Sequence, residues 1–296
     1  MQPLRTLLFV PGNRPKMIEK AQLLAADVLV LDLEDSVPLA EKETARKVIS
    51  NSLEGLGLKG QKVYIRINAL ATGLAQEDLE AVVEKRLDGI SLPKVGSAEE
   101  IKKVEKMIQA LEGEREIERG HIRLIPWVET ARGLVRTFEI CSASPRVIGV
   151  AFGADDFTAD MGIPRSQEGT ELFYPRTVIA IAARAAEVMA LDTPYVDFRD
   201  EKGLIQDAKL ARQLGFQGKF LIHPDQIEPV NQVFRPSPEE VAHARRVVEA
   251  FEAAEARGAA ATSLDGKMID TPVAQRARKL LSLAEAIDQK EAASRG

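Results

Sequence analysis

Eight short apolar runs, spaced along the first 225 residues of a 296-residue chain and separated by stretches of helical periodicity, limit the fold more than any other feature. They are 4–11 (LRTLLFVP), 28–34 (VLVLDLE), 62–68 (KVYIRIN), 89–94 (GISLPK), 122–129 (IRLIPWVE), 147–153 (VIGVAFG), 194–198 (PYVDF) and 219–224 (KFLIHP). The runs are apolar throughout rather than alternating, which is the pattern of parallel strands covered on both faces. Between them, Ala45, Val48, Ile49 and Leu53 fall on one helical face, as do Ile101, Val104, Met107, Ile108 and Leu111. Ser97 with Glu100 forms a capping-box signature, and Gly215 after Leu214 marks a helix stop. The alternation predicts an α/β protein, and the count of eight predicts a (β/α)8 TIM barrel. A doubly wound open sheet is the alternative, but no GxGxxG turn follows the first run.

After the eighth run the pattern changes. Ser237-Pro238-Glu239-Glu240 reads as a capping box with proline at the first helical position, and Val241, Ala244, Val248, Phe251 and Glu255 track the helix that follows. Residues 258–270 (GAAATSLDGKMID) read as a small-residue linker, and Thr271-Pro272 opens a last amphipathic helix with Val273, Ala277, Leu280, Leu281, Ala284 and Ile287. The expected division is therefore a barrel over 1–236 and a C-terminal helical extension over 237–296. Such a tail either folds back on its own barrel or packs across a subunit interface.

Composition narrows the partners. Forty Lys+Arg against 45 Asp+Glu give a net charge of −5, which argues against coating a nucleic-acid backbone. The single cysteine, Cys141, cannot close an intrachain disulfide, and no Cys/His cluster suits zinc, so a reducing compartment is expected. The apolar run in the opening MQPLRTLLFVPGNRP is too short for a signal core or a membrane span. The expectation is a cytoplasmic protein with no membrane partner.

In a barrel of this kind the active site lies where the strands end at their C-terminal edge. The polar residues at those ends are Asp32, Glu34 and Asp35 after run two, Arg66 and Asn68 after run three, and Glu129 after run five. Asp155 and Asp156 follow run six, Asp197 run seven and His223 run eight. Carboxylates converging on one rim raise one another's pKa values unless a cation sits among them. With oxygen donors and no Cys or His pair, Mg²⁺ is the natural choice, because it accepts one or two carboxylates and keeps waters for substrate to displace. Glu129 and Asp156, on adjacent strands, are the expected metal ligands, with Glu34 and Asp35 orienting the metal's waters. Taken singly, each acid could equally cap a helix or form a solvated ion pair, and Asp155 reads as a helix or turn former. Arg66 is either a partner for a rim acid or a clamp for a substrate carboxylate. Lys94 is placed to pair with a rim carboxylate, and His223 reads as a hydrogen-bonded rim residue. Arg14, Lys16 and Lys20, around the start of the first helix, are either solvated surface cations or a phosphate cradle.

The segments LLFVPGNRPKMIEKA, VLDLEDSV, YIRINA, LPKV, WVETARGL, AFGADDFTADMG, GKFLIHPDQI and DGKMIDTPV resemble, in order and over nearly the whole chain, the signatures of the citrate lyase beta-subunit-like proteins. That group belongs to the HpcH/HpaI aldolase and citrate lyase family, close to the malyl-CoA and citramalyl-CoA lyases. The resemblance implies a Mg²⁺-dependent barrel lyase that breaks or forms a carbon–carbon bond beside a CoA thioester. It places Glu129 and Asp156 on the metal, Arg66 and Glu129 on substrate, and Glu34 and Asp35 around the metal's waters. Asp270 falls on an acid supplied by the tail of a neighbouring subunit, where it would move a proton at the enolate carbon; the alternative is that it only starts the last helix. Arg14, Lys16 and Lys20 fall where relatives contact CoA, and a homotrimer or hexamer is implied.

The expected substrates are short 3-hydroxyacyl-CoA esters, malyl-CoA-like and citramalyl-CoA-like ahead of citryl-CoA. Other readings of the same residues are a CoA-thioester hydrolase, the beta subunit of a citrate lyase complex working on a carrier-protein thioester, and a non-catalytic barrel that binds CoA or a dicarboxylate.

Overall fold

The computed structural model describes residues 3–57, 59–166 and 168–295. Residues 4–234 form one compact unit and Arg235 onward, with Pro3, another.

The first unit is a closed barrel of eight parallel strands, each hydrogen-bonded to the next in chain order and the last to the first. The strands are β1 (Thr6–Pro11), β2 (Val28–Asp32), β3 (Lys62–Arg66), β4 (Gly89–Leu92), β5 (Arg123–Val128), β6 (Gly149–Phe152), β7 (Met189–Asp192) and β8 (Gly218–Leu221). Around them lie α1 (Pro15–Ala21), α2 (Lys42–Ser52), α3 (Ala75–Val82), α4 (Ala98–Glu114), α5 (Ala131–Val135), α6 (Thr137–Cys141), α7 (Ala154–Met161), α8 (Thr170–Ala185), α9 (Glu201–Leu214) and α10 (Ile227–Phe234). The expected (β/α)8 architecture is the observed one.

Two layers of apolar packing account for the continuous hydrophobicity of the strands. Residues such as Leu8, Leu29, Leu31, Ile65 and Ile90 face outward into the helix layer, where they meet Ile49, Leu79, Val104 and Ile108. The alternate set, including Leu7, Val28, Val30, Tyr64, Ile125, Trp127, Leu191 and Phe220, fills the barrel interior. Near the C-terminal mouth this filling is aromatic: the Phe9, Trp127 and Phe220 rings lie 4.3–5.6 Å apart between centroids. Burying side chains of this size contributes about 1.5–3 kcal/mol each relative to exposure.

The seventh strand is not at 194–198, as the sequence predicts, but at Met189–Asp192. The observed segment follows an alanine-rich helix without a glycine or proline between them, so its strand character is masked. The aromatic and β-branched PYVDF imitates a strand but begins with a proline that cannot donate to a ladder. Consequently Asp192, not Asp197, ends β7. Asp192 is fully buried and joins Arg176 (2.9 Å), Lys219 (2.5 Å) and, through them, Asp207 in a charge network between β7, β8, α8 and α9. Asp197 is exposed.

In the second unit, α11 (Pro238–Glu255) starts with the expected capping box: Glu240 N–H donates to Ser237 Oγ at 3.1 Å and Ser237 N–H to Glu240 Oε2 at 2.7 Å. Val247 is buried, Val248 is partly buried against the same small core, and Glu255 is exposed. The expected linker is instead a two-stranded antiparallel hairpin, β9 (Thr262–Leu264) and β10 (Lys267–Ile269). Asp265 (φ 52°) and Gly266 (φ 75°) make its turn, both in the left-handed conformation that two-residue hairpins require. Ala274 and Ala277 of α12 (Thr271–Arg295) close a small core with Ala244, Val247, Phe251 and Ile269.

Candidate active site

Strand register decides which of the acids meet. The β2–β3 ladder ends with Asp32 opposite Arg66. Arg66 Nε donates to Asp32 Oδ1 and Nη2 to Asp32 Oδ2, each at 2.7 Å. Asp32 also accepts from the backbone N–H of Glu34 (2.9 Å) and Ser36 (3.0 Å), so it orders the loop that carries the next two acids. Burial alone would raise its pKa, but the Arg66 charge and these hydrogen bonds outweigh that and hold the carboxyl below its ordinary value. The guanidinium lies over the Phe9 ring at 4.5 Å, which makes the aromatic plug its floor. Its remaining nitrogen, Nη1, faces Glu34 Oε2 (3.2 Å) and Asp35 Oδ2 (3.6 Å). Lys42, nearly buried on α2, donates from Nζ to the carbonyls of Leu33 and Glu34 at 2.6 Å each and pins the same loop from behind.

On the other side of the mouth the β5–β6 ladder ends at Val128 opposite Phe152. Glu129 and Gly153 therefore leave the barrel side by side, with Gly153 N–H donating to Val128 O at 3.1 Å. A side chain at 153 would strike the Glu129 carboxylate, so this glycine is the space into which the carboxylate fits. Glu129 is 2% exposed, and its Oε1 accepts from the Lys94 backbone N–H at 2.5 Å. Burial, with Asp156 and Glu34 adding negative charge, pushes its pKa up to about 8. Asp156 lies in the first turn of α7, half-exposed at the mouth. The start of α7 is steadied from β7's end, where Thr193 Oγ1 accepts from Ala154 N–H at 3.1 Å.

Lys94 completes the ring. Its Nζ sits 2.8 Å from Glu34 Oε1, 3.6 Å from Asp35 Oδ1 and 3.9 Å from Asp156 Oδ1. Glu34 is nearly buried, and desolvation raises its pKa despite the nearby Arg66 and Lys94 charges. Lys94 has φ of 54°, a left-handed conformation that costs a non-glycine residue roughly 1–2 kcal/mol.

The structure thus brings together Glu34, Asp35, Arg66, Glu129 and Asp156. The chain itself supplies counter-charges to Asp32 through Arg66 and to Asp155 through Arg165 (2.7 Å), so the repulsion expected among all rim acids is concentrated on Glu129 and its neighbours. Two hard oxygen donors beside each other, one of them costly to ionise alone, fit a Mg²⁺-like cation. Among the described residues no group of three or more His, Cys, Asp and Glu side chains is gathered for a metal, so most of such an ion's shell would fall to water and substrate.

Arg14, Lys16 and Lys20 are exposed around α1, with Lys16 and Lys20 one turn apart. His223 caps the turn after β8, its Nδ1 accepting from Asp225 N–H at 3.2 Å. Asp270 caps α12, accepting from Val273 N–H through Oδ1 at 3.1 Å, which leaves the second carboxylate oxygen out of the cap. Sequence reasoning placed Lys94 among possible ion pairs only, and missed both Asp32 as the anchor of Arg66 and Gly153 as the seat of Glu129. The GA step before the two aspartates was the one available signal for the last.

A closed β/α barrel whose C-terminal mouth holds an arginine, a lysine and a buried glutamate beside an aspartate belongs among the barrel enzymes. The chain belongs to the HpcH/HpaI aldolase/citrate lyase family, whose pattern matches residues 5–224. It is 43% identical over 281 residues to the citrate lyase subunit beta of Escherichia coli K12, which covers 95% of this chain and 93% of that one. It is 38% identical over 299 residues to the human mitochondrial citramalyl-CoA lyase, covering 97% and 87%. Among solved structures, CitE of Mycobacterium tuberculosis in complex with magnesium, acetoacetate and coenzyme A superposes with a TM-score of 0.76 at 33% identity, over 96% of this chain and 98% of that one. Among the described residues no helix is long and apolar enough to cross a membrane.

Proposed function

We propose that the protein is a Mg²⁺-dependent carbon–carbon lyase that splits a short 3-hydroxyacyl-CoA, malyl-CoA-like or citramalyl-CoA-like ahead of citryl-CoA, into an acyl-CoA and an oxo-acid. The observation that carries this reading is the buried Glu129 beside Asp156, whose own ionisation is disfavoured by burial and by the neighbouring negative charge until a cation joins it. When bound, Mg²⁺ supplies Lewis acidity to the oxo-acid half of the substrate.

Every other part is this chain's own. Arg66, held edge-on by Asp32, turns Nη1 to the mouth and offers a fixed positive group to the oxo-acid carboxylate. In cleavage the substrate hydroxyl gives its proton to water at the mouth as its oxygen becomes the oxo-acid carbonyl, the electron pair of the broken carbon–carbon bond moves onto the α-carbon of the acyl thioester as an enolate, and that α-carbon takes up a proton. Asp270, brought by the C-terminal tail of a neighbouring subunit, is the proton donor in this reading, and its free carboxylate oxygen is the one available for that task. Glu34 and Asp35 would order water around such an ion, and Arg14, Lys16 and Lys20 would meet the CoA phosphates. The requirement for a neighbour's tail makes the working form an oligomer, a trimer or hexamer by resemblance to the family, and a cytoplasmic enzyme is the reading consistent with its lone buried cysteine.

A second reading, favoured by the 43% identity to a protein named as a citrate lyase subunit, is a beta subunit that takes its acyl group from a carrier-protein thioester. One experiment separates the readings. Malyl-, citramalyl- and citryl-CoA are each incubated with the full-length protein in Mg²⁺ or in chelator, and oxo-acid and free thiol are measured separately. The lyase reading expects glyoxylate, pyruvate or oxaloacetate with no free thiol, and only with metal. Free thiol with intact hydroxy acid would instead make the protein a thioesterase, and turnover confined to carrier-bound substrate would make it the complex subunit.

A further inference from the structure

Lys94 touches both halves of the acidic mouth by different atoms. Its backbone N–H holds Glu129, while its ammonium lies within 3.9 Å of Glu34, Asp35 and Asp156. It does so from a left-handed backbone conformation, φ 54°, that a lysine adopts only when its surroundings impose it. Helix or sheet packing does not require this: the residue follows the end of β4, and its side chain is more than a third exposed. What the conformation achieves is to aim the N–H at one acid and the ammonium at the other three.

The consequence for charge is direct. Among the described residues, Lys94 and Arg66 are the positive side chains within 4 Å of the Glu34, Asp35 or Asp156 carboxylates, with Lys42 behind the loop that carries Glu34 and Asp35. Arg66 is tied by two hydrogen bonds to Asp32 and stacked on Phe9, so it cannot follow a change in charge. Lys94 can, because its four-carbon stem is flexible and its strongest contact is a single 2.8 Å pair with Glu34. Its reach to Asp156, 3.9 Å, is the loosest of the three and the easiest to give up.

We propose that Lys94 is a positioning residue acting as an exchangeable counter-ion: its ammonium holds the mouth together when no metal is bound and cedes Asp156 to the incoming divalent cation, while its backbone N–H keeps Glu129 in place throughout. Lys94 therefore competes with the metal and sets its affinity low enough for release. This inference rests on the metal assignment made above, and it predicts the opposite sign from an ordinary structural lysine. Removing a supporting side chain weakens binding, whereas removing a competing charge tightens it.

The test uses Mn²⁺ as probe with the full-length wild type, Lys94→Met, Lys94→Gly and Lys94→Arg. Mn²⁺ affinity is measured by calorimetry or electron paramagnetic resonance, and melting temperature in chelator and in saturating Mn²⁺. Glycine keeps the N–H and the backbone conformation, so it serves if the methionine variant does not fold. The expected result is Mn²⁺ binding about tenfold or more tighter in Lys94→Met and Lys94→Gly, as loss of a unit positive charge some 4 Å from a ligand implies. Those variants should also melt lower in chelator and gain more on adding Mn²⁺, and Lys94→Arg should bind near wild-type strength. Equal or weaker binding in both neutral variants overturns the inference while leaving the metal assignment intact. Absence of Mn²⁺ binding to the wild type overturns both.

Discussion

Arg66 and Asp32 face each other across the last rung of the β2–β3 ladder and are joined by two parallel hydrogen bonds of 2.7 Å. This pairing turns a flexible side chain into a fixed one with a single nitrogen directed at the mouth. Arg66→Lys keeps the charge but loses the fork and the flat contact with Phe9. In steady-state kinetics kcat/KM should fall about a hundredfold, the equivalent of one or two charged hydrogen bonds. Mn²⁺ affinity should stay within a few-fold of wild type. A drop in metal affinity as large as the drop in kcat/KM would place Arg66 in metal binding instead.

Glu129 makes the fold sensitive to pH in a direction unusual for a carboxylate. Its folded pKa of about 8 lies above the ordinary 4.5, so the folded state keeps a proton that the unfolded chain gives up. Its contribution to stability is complete below about pH 4.5, declines as pH rises towards 8, and is flat above. Chemical denaturation in chelator from pH 5 to 9 should show this decline in the wild type and not in Glu129→Gln. Because a metal must displace that proton, metal affinity should climb with pH up to about 8 and then level off.

Gly153→Ala probes the seat of the same carboxylate. The added methyl runs into the Glu129 side chain, which must turn away from the place it shares with Asp156. Overpacking of this kind costs typically 1–3 kcal/mol, so the barrel should still fold, with a melting temperature a few degrees lower. Mn²⁺ affinity should nonetheless fall by about tenfold or more, as expected when a ligand is displaced. Wild-type affinity would show that the carboxylate's position there is unimportant to the ion.

Asp270 acts, in this account, on a site belonging to another copy of the chain. Asp270→Asn should lower kcat by about two orders of magnitude or more, the usual range for losing a general acid or base, with Mn²⁺ binding unchanged. Mixing Asp270→Asn with Glu129→Gln under conditions of subunit exchange should restore activity that neither variant has, because some sites would draw an intact mouth and an intact tail from different chains. No restoration, with exchange verified by mass, would mean that the tail serves its own barrel.

How much of this was legible in the sequence depended on whether local chemistry or register carried the information. Seven of the eight strands were legible because buried parallel strands are apolar throughout, and the pairing of β5 with β6 brings Glu129 and the start of the helix carrying Asp156 to one end of the barrel. The seventh was not, because MALD continues the composition of the helix before it while PYVDF imitates a strand. In LDLED three acids stand within four residues, and nothing local says that Asp32 is the one opposite Arg66; the pairing of β2 with β3 decides it. The hairpin at 262–269 was signalled by Asp265-Gly266 but hidden by the small residues around it. Lys94's double contact had no sequence signature at all, since it arises from a backbone angle.

Anomalous diffraction from crystals soaked in Mn²⁺ tests most directly whether Glu129 and Asp156 together hold one divalent cation. One strong peak in contact with both carboxylates, at the C-terminal mouth of the barrel and lost in Glu129→Gln, is the expected result. A mouth without a peak at saturating Mn²⁺, or the two carboxylates turned apart, would contradict the account.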